Sequence, residues 1–146
     1  MKDKDTLKKL PCSRITDVII NAYYKTLDTL GTVRGTPERV FRSEIAARIR
    51  EAGLRVETDK VIEVLEQRKV IDTATIDIVV EGLVVVCIKK VLKLTDLHSA
   101  EGTYHMEVGG YPVGLMLNYG DKERKPKRLV PPRNYRMGPW PCPSSN

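Results

Sequence analysis

The chain has 146 residues, of which 41% are hydrophobic and 30% charged, and these values predict a single globular domain. Its longest apolar run, residues 83–88, is too short to cross a bilayer, and the mixed charges at its start are unlike a secretory signal, so no membrane partner is expected. Three widely spaced cysteines without a CxxC pair predict reduced thiols and hence an intracellular reducing compartment, either cytoplasm or an organelle matrix.

Two helices open the predicted domain. Apolar residues recur at three- and four-residue intervals over residues 13–30, which predicts a first helix that stops at Gly31. A second helix is expected to start at Thr36 as its N-cap, with Pro37 at the first helical position, where its missing N–H costs nothing. Gly53 is expected to end it.

After the second helix the apolar residues follow a period of two, which is typical of strands. Residues 56–65 predict one or two strands, and the β-branched segments 70–80 and 83–90 predict a strand pair. A short helix at 95–106 and a last strand at 113–119 complete the domain. This order predicts an α/β sandwich in which helices flank a mixed central sheet.

The end of the chain differs from the rest in charge and proline content. Residues 1–120 hold 18 Lys and Arg against 17 Asp and Glu, whereas residues 121–146 hold seven against two and contain six of the nine prolines. We therefore expect an N-terminal extension (1–12), a domain (13–120) and an extended, basic, Pro-rich tail (121–146). The tail either binds nucleic-acid phosphates or is a solvated segment that keeps the protein soluble. Its candidate nucleic-acid-binding residues are Lys122, Arg124, Lys125, Lys127, Arg128, Arg133 and Arg136.

Two short motifs in the domain carry candidate chemistry. Residues 35–41 read Gly-Thr-Pro-Glu-Arg-Val-Phe, and the predicted strand pair carries Asp77 on one strand and Cys87-Ile-Lys89 on the next. If the pair turns through a three-residue loop centred on Gly82, Asp77 lies opposite Cys87, and Lys89 follows on the same face. A two-residue turn would place Asp77 and Cys87 on opposite faces and destroy the site.

These motifs resemble those of the GxxExxY family within the PD-(D/E)XK nuclease superfamily. The resemblance covers roughly residues 13–120, the whole predicted domain, and implies a restriction-endonuclease-like fold. It also implies that Glu38 is the helical acid, Asp77 the strand acid and Lys89 the catalytic lysine. Cys87 stands where the family has its second strand acid, so the chain resembles a degenerate member. Glu101 stands where the family commonly carries a glutamine.

The cysteine at position 87 predicts a severe loss of metal binding. Mg²⁺ prefers hard oxygen ligands, so a neutral thiol is a poor substitute for a carboxylate and also lacks its negative charge. We therefore expect no metal or other cofactor at the site. If the site is active, Mg²⁺ or Mn²⁺ is expected at Glu38 and Asp77, and Glu101 is either a replacement acid or a solvent-exposed side chain.

Three functions are consistent with these features. The first is a catalytically impaired nuclease-like scaffold that binds nucleic acid, RNA more than DNA, and protein subunits within a large ribonucleoprotein assembly; the missing acid and the cationic tail motivate it. The second is a Mg²⁺- or Mn²⁺-dependent nuclease with a reduced ligand set. The third is a small protein–protein interaction module unrelated to nucleases.

Overall fold

The computed structural model describes residues 12–31, 35–120 and 124–130. Its elements follow the predicted order, and of the one or two strands expected in this region, residues 56–66 form one. The elements are α1 (Ser13–Leu30), α2 (Glu38–Glu51), β1 (Val56–Glu66), β2 (Lys69–Val80), β3 (Val84–Lys89), α3 (Asp96–Gly109), β4 (Val113–Asn118) and β5 (Lys127–Leu129). None of the helices in these ranges is long and apolar enough to cross a membrane.

The five strands form one mixed sheet in the order β1-β2-β3-β4-β5. Strands β1, β2 and β3 are antiparallel neighbours, whereas β3 and β4 run parallel and are joined by α3, the kind of crossover that parallel neighbours require. Strand β5 pairs antiparallel with β4, so the sheet continues into the segment that we expected to be tail. The rest of that segment, residues 121–123 and 131–146, lies outside the described residues.

Helices cover both faces of the sheet and so produce three layers. On β3, Val84, Val86 and Ile88 pack in one core with α1 and α2, while Val85 and Cys87 pack in a second core with α3. Both faces of β3 are buried, as in a central strand with helices on both sides. This arrangement confirms the predicted α/β sandwich with a mixed central sheet.

The turn between β2 and β3 has the length that the candidate site requires. Val80 pairs with Val84 and Ile78 pairs with Val86, so the three residues 81–83 form the turn. Glu81 and Gly82 have φ values of 55° and 65°, a left-handed conformation that glycine adopts without strain. The predicted three-residue loop is therefore confirmed.

The start of α2 differs slightly from the prediction. Pro37 is the N-cap in place of Thr36, because its ψ of 149° is extended, and Glu38 is the first helical residue. The loop before it is fixed by Lys90, whose Nζ donates to the Thr36 carbonyl at 2.7 Å. Glu38 consequently lies in the first turn of α2, where the helix dipole favours a negative charge.

Two of the three cysteines lie in the described residues. Cys12 is disulfide-bonded, so the prediction of reduced thiols is wrong at that position. Cys87 is a free, buried thiol in the core beneath α3.

Candidate functional site

The candidate site lies where β2 and β3 separate. Their ladder stops at Ile78 and Val86, and beyond this pair β2 continues beside β1 while β3 continues beside β4. At the opening, the Asp77 carboxylate accepts a hydrogen bond from the backbone of Ile88, with 2.9 Å between Oδ2 and N. The side chain of Asp77 thus satisfies an amide that the β2 backbone no longer reaches, and it is fixed at the point where the strands diverge.

Arg42 on α2 is the cation nearest to Asp77, and sequence reasoning missed it. Its Nη1 lies 3.4 Å from Asp77 Oδ1 and 3.9 Å from Glu38 Oε1, and its Nε lies 3.9 Å from Asp59 Oδ1. The side chains of Arg42 and Asp77 are 25% and 23% exposed, so water screens their attraction only in part. Arg42 follows Glu38 by four residues, which is the one signal in the sequence that could have indicated it.

Glu38 belongs to the same electrostatic environment. Burial raises the pKa of the Glu38 carboxyl above its ordinary value, and the negative charge of Asp77 raises it further, while Lys89 and Arg42 offset part of this effect. The structure therefore brings together Glu38, Asp77 and Lys89, which the sequence assigned to one site. Their roles in that site stay predictions.

Cys87 is enclosed under α3. Its residue surface is 3% exposed. Burial, with a smaller contribution from the charge of Asp77, raises the pKa of the Cys87 thiol to about 12. A Cβ atom placed on Gly102 of α3 would lie 3.3 Å from the Cys87 Sγ, so the helix packs closely over the thiol. Because the thiolate is the reactive form, the neutral Cys87 is a small apolar group of the core instead of a nucleophile.

Lys89 and Glu101 form an ion pair between β3 and α3. The distance from Lys89 Nζ to Glu101 Oε1 is 3.0 Å. Burial lowers the pKa of Lys89, but the hydrogen bond to Glu101 and three nearby carboxylates outweigh burial and raise it overall. The Glu101 side chain is 50% exposed and its carboxylate is engaged by Lys89, so its role as a replacement acid stays a prediction.

His105 is a second residue that sequence reasoning missed. It follows Glu101 by one turn of α3 and is 9% exposed, and its Nδ1 has no hydrogen-bond partner among the described residues. Burial lowers the pKa of His105, and the charges of Glu101 and Asp77 offset part of that effect. His98, in contrast, caps the helix, because its Nδ1 accepts a hydrogen bond of 3.0 Å from the Thr95 amide.

The residues at this site do not fit a divalent metal ion. Within residues 12–31, 35–120 and 124–130, no group of three or more His, Cys, Asp and Glu side chains is placed to hold one. Asp77 directs one oxygen to Arg42 and the other to the Ile88 amide. Mg²⁺ requires near-octahedral coordination by oxygen, whereas the site offers a neutral thiol at Cys87 and a fixed guanidinium beside the strand acid.

Three of the predicted nucleic-acid-binding cations contact the domain itself. These contacts join Arg124 to Asp28 at 3.4 Å, Lys127 to Ser99 at 2.8 Å and Arg128 to Thr16 at 3.4 Å. Lys125 is exposed. Lys122, Arg133 and Arg136 lie outside the described residues, so their proposed role stays a prediction.

Comparison with known proteins gives the chain a family. The family model of the PD-(D/E)XK nuclease superfamily matches residues 13–129, which extend from the start of α1 to the end of β5 and include every residue of the candidate site. Comparisons with curated proteins and with solved structures find no match. The narrower resemblance to the GxxExxY family stays a prediction. This family model matches most of the chain, and the observed α/β sandwich is consistent with the family. This protein therefore belongs to the PD-(D/E)XK nuclease superfamily.

Proposed function

We propose that this protein is a nuclease-like scaffold that binds nucleic acid, that its metal-dependent cleavage is impaired, and that it is a structural component of a large ribonucleoprotein assembly. The observation that carries the proposal is the pairing of Asp77 with Arg42 at 3.4 Å. The strand acid that would hold a metal ion in the superfamily has an internal cation as its partner.

Electrostatics and ligand chemistry both support impaired cleavage. A divalent ion at Asp77 would be repelled by Arg42 at short range, in a partly buried environment where that repulsion is stronger than in water. Cys87 offers a neutral, soft sulfur where a hard carboxylate oxygen would be needed. Binding without cleavage therefore requires no metal or other cofactor at this site.

The distribution of charge supports nucleic acid as the partner. The chain has a formal net charge of +6, and residues 121–146 contribute seven Lys and Arg against two Asp and Glu. Clustered cations bind phosphates by releasing counterions, largely without sequence preference. A Pro-rich basic segment that cannot bury a core of its own suits the grooves between RNA and proteins, so we favour RNA and the protein subunits of an assembly as partners.

Cleavage assays on fluorescent RNA and DNA in Mg²⁺ or Mn²⁺ test the impairment. We expect no metal-dependent cleavage by the wild type, and a gain of cleavage in the double variant Cys87→Glu/Arg42→Gln, which restores the acid and removes the competing cation. Cys87→Gln/Arg42→Gln is the control, because it has nearly the same shape without the carboxylate. Wild-type cleavage that disappears in Asp77→Ala would contradict the proposal and support a nuclease with a reduced ligand set.

Sedimentation of cell extract through a density gradient tests the assembly. We expect the protein to migrate in a large particle that RNase treatment collapses. Migration near 16.5 kDa, with or without RNase, would contradict the ribonucleoprotein part of the proposal. The third hypothesis assumed a module unrelated to nucleases, and the family match contradicts that assumption.

A further inference from the structure

An arginine-lined groove lies between α2 and the first residues of β1. Its volume is about 210 Å³. Its lining includes Arg39, Arg42, Ser43 and Arg50 from α2, and Thr58 and Asp59 from β1. Arg42 also contacts Asp77, so one end of the groove adjoins the candidate site.

The spacing along α2 gives the groove its length and its floor. Arg39, Ser43, Ala46 and Arg50 are separated by four, three and four residues, so they form one stripe on the helix surface. Ser43 and Ala46 are small and leave room between the two arginines. At about 1.5 Å per residue, Arg39 and Arg50 are separated by about 16 Å along the helix axis. A single phosphate ion is too small to contact both, whereas a chain of linked phosphates is long enough.

Two of the three arginines have charge available for a ligand. Arg42 is surrounded by Glu38, Asp59 and Asp77. Arg39 is exposed, and in the described part of the chain it forms no ion pair. Arg50 donates one hydrogen bond of 3.0 Å from Nη2 to the Val56 carbonyl, which leaves its positive charge uncompensated among the described carboxylates.

The charge of the groove lining is positive as a whole. Asp59 is the acid among the lining residues, and it already interacts with Arg42 at 3.9 Å. Arg39 and Arg50 therefore dominate the field at the two ends of the groove. The Ser43 hydroxyl between them is exposed and provides a neutral donor of the kind that commonly contacts phosphate oxygens.

We infer that this groove binds the phosphodiester backbone of a nucleic acid, with Arg39 and Arg50 contacting different phosphates. The inference rests on the proposed function and deepens it, because it assigns backbone contacts to a surface of the folded domain in addition to the tail. Backbone contacts position the nucleic acid and carry no sequence information, so the groove binds RNA and single-stranded DNA through the same chemistry.

Fluorescence anisotropy with the full chain tests this inference. The probes are a labelled single-stranded RNA, the matching DNA and inorganic phosphate as competitor, over a range of salt concentrations. Arg39→Gln/Arg50→Gln removes two charges from the groove, and Lys25→Gln/Lys93→Gln removes two charges from exposed positions elsewhere. We expect the groove variant to bind about tenfold more weakly, and its salt slope to fall by about 1.4, since each lost contact to a single strand removes about 0.7.

The outcomes separate the inference from the proposed function. If the wild type binds nucleic acid and both the groove variant and the lysine control bind equally more weakly, the groove inference is overturned. The proposed function then stands, with the tail as the binding segment. Absence of wild-type binding to either nucleic acid would overturn both. Full competition by inorganic phosphate at low millimolar concentration would overturn the inference that a polymer is the ligand. If circular dichroism shows that the double variant is unfolded, Arg39→Glu decides, because Arg39 is exposed and forms no ion pair with the described residues.

Discussion

The two sides of the candidate site neutralise charge in different ways. On the α2 side, the acids Glu38 and Asp77 are present and Arg42 is their counter-ion, with every participant partly exposed. On the α3 side, the thiol of Cys87 is buried and neutral, and Lys89 has a carboxylate partner from the helix. In both places a helix supplies the partner of a charged strand residue. The charges on both sides of the site therefore have partners within the protein.

The largest expected effect tests the buried, neutral side. Cys87→Ser places a hydroxyl of nearly the same size in an apolar core where the residue is 3% exposed. We expect a loss of about 2 kcal/mol in the free energy of unfolding, because a buried hydroxyl without a partner costs about 1–3 kcal/mol. Urea unfolding measures it.

Cys87→Ala is the matched control for that substitution, because it removes the sulfur without adding a polar atom. Its cost should be smaller than that of Cys87→Ser. A serine variant as stable as the wild type would show that the new hydroxyl finds a hydrogen-bond partner and that the surroundings of position 87 are not apolar. The contrast between the two sides of the site would then be wrong.

A smaller effect is expected on the charged side. Arg42→Gln removes the cation beside Asp77 and leaves the Ile88 amide as its hydrogen-bond donor. Because the ion pair is partly exposed, we expect a loss of about 1–2 kcal/mol in the free energy of unfolding, between the values for exposed and for buried ion pairs. In a double-mutant cycle, adding Asp77→Asn should recover part of this loss. Arg39→Gln is the control and should change stability by less than about 0.5 kcal/mol. Full additivity in the cycle would contradict the pairing of Arg42 with Asp77.

Local pattern was enough to predict most of the fold. The apolar spacing of residues 13–30 fixed α1, and the β-branched runs fixed β2 and β3. Strand β5 was missed because it is three residues long and lies in a basic, proline-rich segment. It is a strand because Leu129 pairs with Gly114 and packs under α3, a tertiary contact that no local pattern contains.

The candidate site divides in the same way. The sequence predicted the three-residue turn between β2 and β3, but it did not predict that their ladder stops at Ile78 and Val86, so that Asp77 and Cys87 lie beyond the paired residues. Arg42 and His105 were missed because their importance depends on where β2 and β3 separate and on how the helices pack there. Each follows a predicted acid by four residues, but that spacing alone is common on the exposed faces of helices.

The smallest expected effect concerns the balance of charge at Glu38. Burial and the charge of Asp77 raise the pKa of Glu38 above 4.5, so the folded state holds its proton more tightly than the unfolded state does. The protonated Glu38 therefore stabilises the folded state fully below about pH 4.5, and this stabilisation is lost as the pH rises through the raised pKa. Glu38→Gln cannot ionise and avoids this loss. It should therefore be slightly more stable than the wild type at pH 7, and the difference should disappear below about pH 4.5.

Thermal melts between about pH 4 and pH 8 measure this difference. Glu44→Gln is a matched control, because Glu44 has the same 42% side-chain exposure as Glu38 and an arginine four residues later, Arg48 at 3.3 Å. No contact links Glu44 to Asp77 among the described residues, so its substitution should leave stability at pH 7 unchanged or slightly lower. If Glu38→Gln lowers the melting temperature at pH 7 as well, attraction to Arg42 outweighs burial and repulsion by Asp77. Arg42 would then be the dominant charge for both acids on the α2 side.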